Sequence, residues 1–218
     1  MWSRATKDAS GLEVILKKMN NVLELQKIQD QVNQCTLCSL CKTKGNYYVF
    51  GEGNVNAELM FVGEAPGFNE SETGRPFIGK AGQLLTKMIE AIRLTRDSVY
   101  ITNIVKCRPP ENRKPTDEEI ASCLPYLISQ IKLIDPKVIC LLGTTAFKVL
   151  IKESKLTISQ SHGRIYHRTY YDRWRICIPT FHPAYLLRRP DMKCLAFNDL
   201  KIIKSQLEIE LKESAIIY

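Results

Sequence analysis

Long apolar runs are missing from this chain: none of its 218 residues sits in a stretch approaching the roughly 18 consecutive apolar positions that a membrane-crossing helix needs. The polar start Met1-Trp2-Ser3-Arg4 lacks the apolar core of a secretory leader, so the expectation is a soluble intracellular protein. No internal repeat is visible. Neither of the two common phosphate-loop signatures is present, G-x-x-x-x-G-K-[ST] or G-x-G-x-x-G. Histidine is scarce, at three, and eight cysteines are too few for a disulfide scaffold; in an intracellular chain such clusters more often hold metal. Acidic residues are outnumbered by 31 Lys and Arg to 23 Asp and Glu, a net charge of +8 that favours a polyanionic partner. An apolar content of 44% supplies one good core, hence one domain.

The stretch that organises the rest is Gly63-Glu64-Ala65-Pro66-Gly67-Phe68-Asn69-Glu70, continuing to Gly82. An apolar run at 59–62 reads as a buried strand before it, and the spacing from 82 to about 92 predicts a helix after it. Loops at the carboxyl ends of strands are where open α/β sheets bind ligands. This one carries acids and an aromatic, Phe77, which suits a flat, partly apolar ligand.

Residues 1–10 read as a loose lead, and helical periodicity then runs from 12 to 32. Strands are expected at 47–50, 59–62, 99–102, 138–142 and 175–179. Thr116-Asp117-Glu118-Glu119 is a capping box opening a helix to about 133, and further helices are expected at 144–151 and 193–212. The polar, aromatic segment 157–173 reads as a hairpin or loop. This alternation argues a single-domain three-layer α/β/α sandwich with a mostly parallel central sheet, divided as a lead and helix at 1–34, a main body at 35–212 and a tail at 213–218. Three strand-end loops, at 64–77, 103–113 and 182–189, should converge at one edge.

On those loops the runs GEAPG, TGRPFIGKAGQLL, VYITNIVKCRPPENR and FHPAYLLRRP together resemble the family-four uracil-DNA glycosylases, the iron–sulfur members of the uracil-DNA glycosylase superfamily. The likeness covers roughly 35–205. It implies a DNA repair enzyme that hydrolyses the N-glycosidic bond of uracil in DNA, single- or double-stranded, working in the cytoplasm at the nucleoid. By resemblance, Phe77 stacks on the flipped base in a pocket that includes Gly63, Asn103 reads it, and His182 donates to uracil O2 as the base leaves as an anion. An Asn amide can accept from N3–H and donate to O4, whereas cytosine presents the reverse pattern.

Related family-one enzymes carry a water-orienting aspartate where this chain has Ala65. Its backbone could position the water, and Glu64 and Glu70 stand as candidates for aiding that water or stabilising the cation; Glu70 could equally crowd the C5 side and exclude thymine. Lys106, Arg108, Arg113, Arg188 and Arg189 are expected to grip DNA phosphates, with Leu186 or Leu187 as the wedge filling the gap left by the flipped base. His162 and His167 read as surface or packing residues.

Cys35-x-x-Cys38-x-x-Cys41 has ferredoxin-like spacing without the fourth cysteine before proline, so spacing alone suggests three local ligands and one distant thiolate. The resemblance implies a different set, Cys35, Cys38, Cys107 and Cys123, holding a structural [4Fe–4S] cluster. Zinc competes on donor chemistry. Cys140, Cys177 and Cys194 read as packing residues. An iron–sulfur electron carrier and a catalytically silent DNA-binding subunit are the alternatives from other classes, but a carrier has no use for Asn103 and His182 in separate strand-end loops. Hypoxanthine as a further substrate, and a replication or repair partner recruited by a terminus, stay open.

Overall fold

A computed structural model describes residues 5–43, 45–152 and 155–216. Its elements in chain order are α1 (Ala5–Asn33), β1 (Glu52–Gly53), β2 (Leu59–Gly63), α2 (Phe68–Thr73), α3 (Lys80–Ala91), β3 (Tyr100–Asn103) and α4 (Asp117–Ile134). There follow β4 (Val138–Leu142), α5 (Thr144–Ile151), α6 (Ile158–Ser161), β5 (Tyr166–Tyr170), β6 (Arg173–Thr180), α7 (Pro183–Arg188) and α8 (Lys193–Ile216). The six strands form one sheet in the order β1-β3-β2-β4-β6-β5. Its four central strands are parallel and both edge strands antiparallel.

Side-chain alternation along the strands divides the core in two. Met60, Val62, Ile139 and Leu141 face a layer built from α1, α4 and α5 through Leu25, Val32, Leu127, Ile131, Phe147 and Leu150. Leu59, Phe61, Cys140, Leu142 and Ile178 face the other way, onto Leu85 and Ile89 of α3, Leu186 of α7, and Leu200 and Ile203 of α8. That is the three-layer α/β/α sandwich. Because every residue of β2 and β4 is buried, these strands read as continuous apolar runs in the sequence. No helix among the described residues is long and apolar enough to cross a membrane.

Three expectations are corrected. Helix α1 begins at Ala5, so of the loose lead at 1–10 only 1–4 lie outside the described residues. Residues 47–50 do not form a strand: Val49 N–H donates to Lys106 O at 2.8 Å and the Tyr48 hydroxyl to Cys35 O at 2.7 Å, so this apolar run is buried as a tie between loops. Helix α8 carries on to Ile216, past the end expected at 212. The hairpin expected in the segment 157–173 is present, formed by β5 with β6 after the short helix α6.

Candidate active site

Parallel pairing puts the carboxyl ends of β2, β3, β4 and β6 along one edge of the sheet. The loops leaving them enclose a cleft of about 730 Å³. Its walls include Glu64, Ala65, Glu70 and Phe77 from the first loop, Asn103, Asn112 and Arg113 from the second, and His182, Tyr185 and Arg188 after β6. The three loops meet. A fourth contributor, Gly143 and Thr144 at the start of α5, was not anticipated, nor were Lys114 and Ser159. The signal available was Gly143 itself, closing an apolar strand with φ +88°.

Gly63, Phe77 and Asn103 close on one another. A Cβ at Gly63 would overlap both Asn103 Oδ1 and the rim of the Phe77 ring, so only glycine lets the two side chains approach this strand end. Asn103 is 1% exposed, and its Oδ1 has no hydrogen-bond partner among the described residues. A buried acceptor left open in this way costs roughly 1–3 kcal/mol and marks a place where a ligand donor fits. Phe77 holds φ +52°, a conformation that aromatic residues seldom adopt and that clusters at functional sites. Its neighbours over-determine it: Glu70 Oε1 accepts from Ile78 N–H at 2.9 Å and Gly79 N–H at 2.8 Å, Arg96 donates to Pro76 O, and any Cβ at Gly82 would strike the Phe77 carbonyl. Glu70 therefore fastens the loop that presents the ring.

His182 caps α7, and its Nδ1 accepts from Ala184 N–H at 3.1 Å, which leaves Nε2 to carry the ring proton. Burial, and after it the positive charge of Arg188, push its pKa down from 6.5 to about 4, with Glu70 opposing. The ring is thus a neutral donor at ordinary pH. It lies 5.7 Å from the Phe77 ring, centroid to centroid. Glu64 is half-buried on the same wall and accepts from the Thr145 hydroxyl at the start of α5. Strand-like bonding continues past β2 as Gly63 O and Glu64 O accept from Ile104 and Val105 N–H, at 2.9 and 3.2 Å, before the chain turns at Ala65.

The DNA-gripping residues divide. Lys106 is 1% exposed and donates to Thr102 Oγ1 at 2.6 Å, Gln130 Oε1 at 2.6 Å and Asn103 O at 2.9 Å, so the expected phosphate contact is corrected. Burial lowers its pKa to about 7, against the opposing charge of Cys123. Arg113 forks onto Glu119 at 2.7 and 2.8 Å, and this ion pair, with the cap of α4, holds the Glu119 carboxyl down at about 2. Arg189 is paired with Asp191 at 2.7 Å. Arg108 lies over the exposed Phe68 ring at 5.1 Å and donates to Asn112 Oδ1. Arg188 is exposed on the cleft wall with no hydrogen-bond or ion-pair partner among the described residues. Of the two candidate wedges, Leu186 is 1% exposed in the core, which corrects that alternative, and Leu187 is 43% exposed.

Cys35, Cys38, Cys41, Cys107 and Cys123 line one void beneath the second loop, together with Tyr48, Tyr126 and Lys106. Among the described residues no three His, Cys, Asp or Glu side chains close on a single metal-binding point. The thiols instead surround a shared space. Burial raises the pKa of Cys38, Cys107 and Cys123, and the neighbouring cysteines raise each further. Cys140 and Cys177 are core residues as expected, whereas Cys194 is exposed, against the packing role expected for it.

The model of the uracil DNA glycosylase superfamily matches residues 50–201. A type-4 uracil-DNA glycosylase of Sulfurisphaera tokodaii is 45% identical over 198 residues, 89% of each chain. That of Thermotoga maritima is 40% identical over 85% of this chain and 96% of its own, and that of Archaeoglobus fulgidus 44% over 82% and 91%. A match of this extent, across all four strand-end loops, decides the classification: the chain belongs to the uracil DNA glycosylase superfamily, among the type-4 enzymes.

Proposed function

We propose that this protein hydrolyses the N-glycosidic bond of uracil in DNA and leaves an abasic site, holding the extruded base between Phe77, Asn103 and His182. The observation that carries this assignment is the unpartnered Asn103 Oδ1, buried against Gly63 and Phe77 at the edge of the cleft. Uracil N3–H supplies the donor this oxygen lacks, and uracil O4 takes the amide N–H. Cytosine would set acceptor against acceptor, a buried mismatch able to discriminate by about 10⁴.

In the reaction the C1′–N1 bond breaks with its electron pair passing to the base, and the sugar gains oxocarbenium character. A water oxygen bonds to C1′, and its proton is released. Charge accumulates on uracil O2, where His182 Nε2–H donates without first having to lose a proton, a contribution on the order of 3 kcal/mol for a preorganised donor. Glu64, aimed by Thr145 and set beside the turn at Ala65, orients the water and faces the developing positive charge. Glu70 acts through the Phe77 loop. Phosphate contact falls to Arg188 and Arg108, the gap in the duplex is filled by Leu187, and the net charge of +8 draws DNA to the cleft. A DNA substrate places the enzyme at the nucleoid.

Cys35, Cys38, Cys107 and Cys123 fit an iron–sulfur cluster, and Cys41 lines the same void. Thiolates ranged around a space suit a multi-iron centre better than one tetrahedral ion. Hydrolysis requires no electron, so the cluster's contribution is to crosslink the end of α1, the second loop and α4. Cys107→Ala should abolish absorbance near 400 nm and lower the melting temperature, whereas Cys41→Ala should leave both in place. Release of tritiated uracil from DNA tests the enzymatic assignment: Asn103→Ala should release it on the order of 10²- to 10³-fold more slowly than the natural chain. Equal rates would remove Asn103 from the mechanism.

A further inference from the structure

A lysine ammonium sealed inside a protein needs a reason, because an apolar side chain of similar length would fill the same space at less desolvation cost. Lys106 is 1% exposed, and its three donors find Thr102 Oγ1, Gln130 Oε1 and Asn103 O. The acceptors are themselves held. Gln130, on α4, donates to Phe50 O at 3.0 Å and to the Tyr100 hydroxyl at 3.2 Å, and Thr102 also donates to Phe50 O at 2.9 Å. From its backbone, Lys106 donates to Cys123 Sγ at 3.3 Å. The ammonium is the point at which the helix carrying Cys123, the loop carrying Cys107 and the end of β3 are joined.

We propose that Lys106 is a positioning residue for base recognition, acting through Asn103. Its bond to the Asn103 carbonyl fixes the peptide from which the reading amide projects, in the narrow space that Gly63 leaves beside Phe77. Both amide contacts to uracil depend on that placement to a few tenths of an ångström, and misplacement of about 1 Å can cost on the order of 100-fold in rate. The inference deepens the assignment of Asn103 as reader and rests on it. It also separates Lys106 from the residues that grip DNA, which its place in the sequence would not do.

The test is a double-mutant cycle measured on a single-stranded oligonucleotide carrying one uracil, with Lys106→Met, Asn103→Ala and the double variant. Lys106→Met should lower kcat by about 10- to 100-fold while KM changes less than about 2-fold and keeps its dependence on salt concentration. In the Asn103→Ala background the same substitution should cost less than about 3-fold, because the residue through which it acts is gone. Losses that multiply in the double variant, or a change confined to KM and its salt slope, would overturn the proposal while leaving Asn103 as reader intact. Inactivity of the natural chain, or full activity of Asn103→Ala, would instead sink the reading on which it rests. Absorbance near 400 nm and a cooperative melt report folding. Should Lys106→Met fail them, Thr102→Val, which removes one acceptor aiming the ammonium, enters the same cycle and the same two patterns decide.

Discussion

His182 shows how one hydrogen bond selects a chemical role. Burial, and after it the charge of Arg188, hold the ring neutral down to about pH 4, and Nδ1, accepting from Ala184 N–H in the cap of α7, leaves the ring proton on Nε2. The rate of uracil release should therefore stay level as pH falls from 6.5 to about 5, with no break at the ordinary histidine value. A half-loss centred near 6.5, absent from His182→Ala, would show that the ring ionises normally. Stability follows the same linkage. Between about 4 and 6.5 the unfolded chain binds the proton that the folded chain refuses, so this contribution is complete above 6.5 and is lost as pH falls through the window. Denaturant unfolding of His182→Gln against the natural chain should show that difference shrinking over the same range.

At the scale of elements, the loop from β2 to α3 is a strained presentation device. Phe77 stays at φ +52° because Glu70 fastens the two residues that follow it. Glu70→Gln keeps an oxygen able to accept both N–H groups, so most activity should survive, while Glu70→Ala should lose activity by 10-fold or more and about 1–3 kcal/mol of stability. Equal losses in the two variants would make Glu70 a base and not a fastener. Helix α7 gives a second contrast. Leu186→Ala should destabilise by about 2–5 kcal/mol through the cavity it leaves, whereas Leu187→Ala should leave the melting temperature unchanged and slow cleavage of double-stranded more than single-stranded substrate. The reverse pattern would put the wedge at Leu186.

For the molecule as a whole, the sequence disclosed what is encoded locally. The capping box at Thr116 and Glu119, and the apolar run at Val138–Leu142 with the helix after it, appear where their residues say, because caps and periodicity need only near neighbours. Convergence of the strand-end loops followed from parallel pairing. What was illegible depends on distant partners. Lys106 reads as one more cation in a basic loop until Gln130, 24 positions on, supplies an acceptor that lets it turn inward. Val49 and Tyr48 have strand-like composition, yet their partners are a loop carbonyl and Cys35, not a ladder. Leu186 and Leu187 differ only in helical phase, which the start of α7 at Pro183 fixes.

The most direct measurement of the central claim is strand cleavage. Oligonucleotides bearing a single uracil, alone or opposite guanine, are incubated with the protein and then treated with hot alkali, beside strands carrying thymine or cytosine at the same position. Cleavage at uracil and nowhere else is the predicted result. Intact uracil strands from protein that retains its absorbance near 400 nm, or cleavage at thymine or cytosine to the same extent, would contradict it.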